Sequence, residues 1–263
     1  MSGPAGVMAL VLAETAAGGI ALLFLTPLWS EVRKGFFYLT GAIVVLLAAG
    51  AAGAARAGAS PGSGATARLP QTLAWTLAAA SIVWLLLIAL RAGPAARLLG
   101  LLTVPLAGSM LFAFARTADE SATLAFLQLL AGAAFTGAVV DGLLLGHWYL
   151  TDRKLPRAPI ERMAWLLIGS VALEAAAVIA GGFGSPDRTQ ASNNQLNPLL
   201  SIGGSASLIA IGMVACTGLI AVFIRLTLRG SRASAVQSAT GFFYLAVITA
   251  FTAELAAKVR FLP

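Results

Sequence analysis

Charge is what this chain has least of. Asp, Glu, Lys and Arg make up 10% of its 263 residues, against 59% hydrophobic residues. A soluble domain carries about a quarter charged residues, so a water-soluble globule is excluded. Cysteine is nearly absent: Cys216 stands alone, which rules out an intrachain disulfide and a cysteine-ligated iron–sulfur cluster. His147 is the single histidine, so a bis-histidine haem held by this chain alone is excluded, as are metal sites built from several His or Cys ligands. The sequence holds no Walker loop, HExxH or GxSxG element, no regularly spaced arginines of a voltage sensor and no potassium-filter segment.

What is present is apolar sequence in continuous runs, with a mean hydropathy of +0.90. A helix needs about 20 apolar residues to cross the hydrocarbon core. The runs predict spans near 6–28, 36–55, 71–90, 98–115, 122–150, 163–183, 200–226 and 238–258. They are unbroken rather than alternating, which favours helices over a barrel. The expected fold is therefore an all-α polytopic integral membrane bundle of about eight helices in a single transmembrane domain, residues 1–263. The first run has no Lys or Arg before it, unlike a cleaved signal peptide, and is expected to remain as a helix.

Basic residues set the expected direction. The loops after odd spans hold Arg33, Lys34, Arg91, Arg97, Arg153, Lys154, Arg157, Arg162, Arg225, Arg229 and Arg232, and the opposite side holds Arg56, Arg68, Arg116, Arg188, Lys258 and Arg260: eleven against six. The positive-inside rule places the odd loops in the cytoplasm and both termini outside. The net charge of +7 is spread over many loops, as topology and anionic headgroups require, and no soluble basic domain exists to hold a duplex; nucleic acid is not expected. Fourteen Arg against three Lys, with abundant Ala and Gly, fits a GC-rich bacterial genome and hence the bacterial cytoplasmic membrane.

Two sequence echoes suggest duplicated hairpins. GFFYL occurs at Gly35–Leu39 and Gly241–Leu245, and ALEAAA (172–177) resembles AELAAK (253–258). Aromatic belts at membrane interfaces would also produce the first echo. Small residues are dense, as in AAGG at 16–19 and LAGAAFTGA at 130–138. Such faces let helices approach closely in lipid. The linkers 55–70 and 181–198 are Gly/Ser/Pro-rich, and the second, with Gln190, Asn193, Asn194 and Gln195, is a candidate lid over an outer cavity or else a plain surface loop.

Four carboxylates fall inside predicted spans: Glu14, Asp141, Glu174 and Glu254. A charged group at the bilayer centre costs about 2.5–3.5 kcal/mol on insertion scales, so such groups are usually paired, inward-facing or functional. Glu14, Glu174 and Glu254 are candidates for a proton or ion path on the outer side. Glu254 stands four residues before Lys258, a spacing that suits an interfacial ion pair.

A second constellation, DGLLLGHWYLTDRKLPRAPIER (141–162), contains His147, Trp148, Tyr149 and Asp141. Histidine and tyrosine donors beside aromatic walls would suit a quinone headgroup, with histidine passing a proton. The same residues next to a basic loop also make an ordinary interfacial anchor. Three functions follow as expectations. The first is a non-haem membrane-anchor subunit of a bacterial respiratory or redox complex, with quinone as possible cofactor and other membrane or peripheral subunits as partners. The second is a proton- or cation-coupled transporter using the intramembrane carboxylates. The third is a structural protein acting through assembly. No autonomous catalytic constellation is present.

Overall fold

The computed structural model describes residues 3–59, 64–118, 121–152, 154–181, 202–230 and 234–259. Among these, the elements are helices without strands: α1 (Gly3–Leu25), α2 (Leu28–Glu31), α3 (Lys34–Ala57), α4 (Gly64–Ala89), α5 (Gly93–Ala115), α6 (Ala122–Thr151), α7 (Ala158–Ala180), α8 (Ile202–Leu228) and α9 (Ser234–Lys258). All but the short α2 are long and apolar enough to cross a membrane. At 1.5 Å per residue, the 23 residues of α1 reach about 35 Å, more than the hydrocarbon thickness. The protein is a multi-pass helical membrane bundle.

Sequence explains where the helices stop. The first apolar run continues to residue 28, but α1 ends at Leu25 because Pro27 has no N–H to donate, and the chain turns through α2. Pro70 and Pro105 lie inside α4 and α5. A membrane bundle tolerates them because neighbouring groups satisfy the freed carbonyls. One turn after Pro105 the Ser109 hydroxyl donates to the proline's own carbonyl at 2.9 Å, an added bond rather than a replacement for the one the ring removes. α6 is capped by Ser121, whose side chain accepts from the Leu124 N–H at 3.3 Å.

The packing falls into two rings of four. In one, α1 packs on α3, α3 on α4, α4 on α5, and α5 back on α1; in the other, α6, α7, α8 and α9 close in the same order. The rings meet mainly through α1 on α6, flanked by α1 on α9 and α5 on α6. Each ring thus begins with a helix of the same direction. This is the pattern of parallel repeats about an axis along the membrane normal. The GFFYL copies do not follow it. One opens the second helix of its ring and the other lies in the last helix of the other ring.

α1 and α6 are the inner helices: 72% of α1's most apolar window and 56% of α6's is buried, against at most 44% elsewhere. They run parallel, with Glu14 beside Gly132, Gly18 beside Gly137 and Gly19 beside Asp141. The crossing is at backbone distance. A Cβ on Gly18 would lie 1.8 Å from the Ala133 carbonyl oxygen, and one on Gly137 would lie 2.5 Å from the Gly18 carbonyl carbon. Trp75, Leu86, Leu173, Leu219 and Ile248 face outward, exposed, as the lipid-facing shell.

The basic ends of the rings are fastened by side chains. Arg33 pairs with Asp152 at 3.1 Å, and Arg162 grips Glu31 with two bonds of 2.8 and 3.0 Å. Arg225 lies 5.2 Å over the Trp165 ring. Beneath them Phe24, Trp29, Phe36, Phe37 and Trp84 form an aromatic cluster with centroids 5.0–6.5 Å apart.

The crossing makes a direct prediction. Gly18→Ala forces α1 from α6 and lowers stability by about 1–3 kcal/mol, the usual range for overpacking. Gly53→Ala, whose Cβ meets nothing within 4 Å, leaves stability unchanged or raises it. Unfolding of the two variants in detergent separates these outcomes, and equal behaviour would contradict the crossing.

Candidate functional site

The intramembrane carboxylates do not scatter. Glu14 lies midway along α1, and Glu254 and Lys258 lie in the last two turns of α9. The Lys258 ammonium sits 2.7 Å from Glu14 Oε1 and 2.9 Å from Glu254 Oε2. All three side chains are shut from the surroundings, with exposures of 0, 0 and 2%. The sequence spacing pointed to an interfacial Glu254–Lys258 pair. The pair forms, but it is buried, because α9 packs beside α1 and α6 and directs that face inward.

Glu174 of α7 is also buried and lies close enough to interact electrostatically with Lys258 and Glu14. Two carboxylates from two helices therefore clasp one ammonium, and a third, from α7, lies within electrostatic range. Gly132 of α6 makes the floor: a Cβ there would lie 2.6 Å from Glu14 Oε1 and 3.0 Å from Glu254 Oε2. The three carboxylates expected to form an outer path are thus brought to one place, joined by Lys258.

Charge counting describes what the cluster can do. If every group were ionised, three negative charges would face one positive charge in a low-dielectric interior. Buried ions cost several kcal/mol each unless compensated. Among the described residues the compensation comes from Lys258, which contacts two of these carboxylates directly. Gln128 adds polarity on α6. It is buried, and neither its amide nitrogen nor its oxygen has a hydrogen-bond partner among the described residues.

Asp141 lies elsewhere on the same seam. It is fully buried, and neither carboxyl oxygen has a hydrogen-bond partner among the described residues. It packs against α1 at Gly19, where a Cβ would be 3.6 Å from Oδ1. From Glu14 to Gly19 is under two helical turns, so a second carboxyl sits past the Gly18–Gly137 crossing toward the basic end.

The residues grouped with Asp141 in sequence separate in space. His147 is half-buried and its Nε2 lies 2.7 Å from the Tyr244 hydroxyl, with the rings edge-on at 5.3 Å. Its Nδ1 is 3.4 Å from the Leu143 carbonyl. Trp148 covers Gly35 of α3, where a Cβ would clash with the indole at 2.2 Å. Tyr149 donates to the Pro156 carbonyl and holds the turn between α6 and α7. His147, Trp148, Tyr149 and Asp141 therefore point to four different surroundings. Tyr244, missed in sequence, belongs to the second GFFYL copy, and that recurrence was its only signal. Gln190, Asn193, Asn194 and Gln195 lie outside the described residues. Among the described residues, no group of three or more His, Cys, Asp or Glu is arranged to hold a metal ion.

Fold and site together define a polytopic helical membrane protein with a buried cluster of carboxylates about one lysine. No protein-family model, curated protein or solved structure matches the chain.

Removing the ammonium tests the cluster's energetics. Lys258→Met leaves buried carboxylates uncompensated and costs about 3–5 kcal/mol. The quadruple variant Glu14→Met, Glu174→Met, Glu254→Met, Lys258→Met removes the charges together and recovers most of that loss. Unfolding in detergent measures both, and a Lys258→Met protein as stable as the parent would show that the ion pairs contribute nothing.

Proposed function

We propose that this chain is a proton- or cation-coupled membrane transporter in which Glu14, Glu174, Glu254 and Lys258 form the coupling site. The observation that carries the reading is the gathering, among the described residues, of buried carboxylates from α1, α7 and α9 near Lys258. A purely structural ion pair needs one carboxylate for one ammonium. The additional carboxylates supply groups that change charge when a proton or cation arrives. Asp141, past the glycine crossing, is the next group on the way to the basic end. The two rings of four are the parts that move, rocking about the α1–α6 seam as in transporters built from parallel repeats. In this reading the basic end faces the cytoplasm of a bacterial cell and the loops at the other end face outward.

The test is flux through the isolated protein in sealed vesicles. A proton or monovalent-cation gradient drives charge movement well above that of protein-free vesicles. Glu174→Gln and Asp141→Asn each abolish it while leaving the helical circular-dichroism spectrum unchanged. Vesicles with no flux under either gradient would sink the transporter reading.

A second reading, a non-haem anchor subunit of a redox complex, is favoured by one observation. His147 and Tyr244 form a hydrogen-bonded pair with Tyr244 48% exposed on the lipid-facing surface. Two such groups can hold a quinone carbonyl from the lipid side. This reading requires partner subunits bearing the redox centres. It predicts quinone in the purified protein that His147→Ala depletes, and unchanged quinone content in that variant removes it.

A further inference from the structure

A separate feature lies at the basic end, remote from the carboxylates. A cavity of about 520 Å³ opens where α2, α3 and α5 meet, walled by Trp29, Phe37, Leu98 and Leu101 together with Lys34 and Arg97. Both cations are exposed, and among the described residues neither has an ion-pair partner. The nearby carboxylates are already engaged: Glu31 with Arg162, and Asp152 with Arg33. α3 begins at Lys34 and α5 at Gly93, so two helix starts border the same cavity and add positive potential from their free N–H groups. Arg91, exposed in the turn just before α5, brings a third cation close to that helix start. The apolar wall is open to the lipid, with Leu98 61% and Leu101 44% exposed.

We propose that this cavity holds an anionic phospholipid, its phosphate against Lys34 and Arg97 and an acyl chain along Leu98 and Leu101. Charge and shape argue for that occupant together. Basic pockets between membrane helices attract anionic headgroups. A neutral quinone would cover the aromatic wall and leave both cations without counter-charge. A free phosphate would neutralise the cations and leave the leucine wall bare. The inference stands independently of the transport reading, since none of these residues belongs to the carboxylate cluster.

The experiment uses the full chain, delipidated in mild detergent and then offered equal amounts of phosphatidylglycerol and phosphatidylcholine, with native mass spectrometry counting retained lipid. The protein keeps phosphatidylglycerol in preference to phosphatidylcholine. The Lys34→Gln, Arg97→Gln double variant loses that preference by about tenfold or more, in line with two headgroup cations. Both side chains are exposed, so the variant unfolds at the parent's temperature. Arg56→Gln with Arg116→Gln, exposed at the other end of the bundle, keeps the preference. Equal retention of phosphatidylglycerol by parent and double variant overturns the proposal. Inorganic phosphate displacing the lipid at equal concentration overturns it in favour of a free anion. Retention of a quinone in place of either phospholipid overturns it as well.

Discussion

The backbone contact between α1 and α6 at Gly18 and Gly137 sets the position of almost everything else. In lipid, apolar side chains gain nothing by leaving their neighbours for one another, so helices associate through close packing and polar contacts. Here the small residues of both helices bring main chains together, and the two rings have few other places to touch. The closeness has a chemical result. It presses the flat face of Gly132 against Glu14 and Glu254, and the face of Gly19 against Asp141. The seam that holds the halves together is therefore also the seam along which the buried carboxyls lie.

The two ends of the bundle handle charge in opposite ways. At the basic end, arginines meet carboxylates in partly exposed pairs, with side-chain exposures of 74 and 10% for Arg33–Asp152. Exposed pairs of this kind contribute about 0–1 kcal/mol, so they fix the relative position of loops more than they stabilise the fold. Toward the other end, among the described residues, Glu14, Glu254 and Lys258 meet in full burial.

Much of the architecture was legible in the chain because its cause is local. Apolar run length dictates a spanning helix wherever it occurs, and Pro27 explains why the first helix ends earlier than its apolar run. The small-residue runs at 16–19 and 130–138 were legible as packing faces, and both lie on the central seam. What each polar residue meets was not legible, since that depends on which helices become neighbours. Glu254 and Lys258 showed their spacing, yet spacing cannot tell a pair at the interface from one buried against Glu14, more than two hundred residues away in the chain. Likewise, Asp141, His147, Trp148 and Tyr149 are close in sequence but occupy different sides of one helix. Adjacency along a helix disperses side chains, and only the tertiary arrangement shows that His147 meets Tyr244.

The separation between Glu14 and Lys258 also bears on how the chain enters the membrane. α1 must be threaded into lipid long before α9 exists, so Glu14 is inserted with no ammonium to meet it. The apolar remainder of α1 is what carries the acid across. Until α9 docks, Glu14 lacks the ammonium that meets it in the folded bundle. The arrival of Lys258 supplies that partner, so the ion pair ties the docking of α9 to a helix inserted long before it.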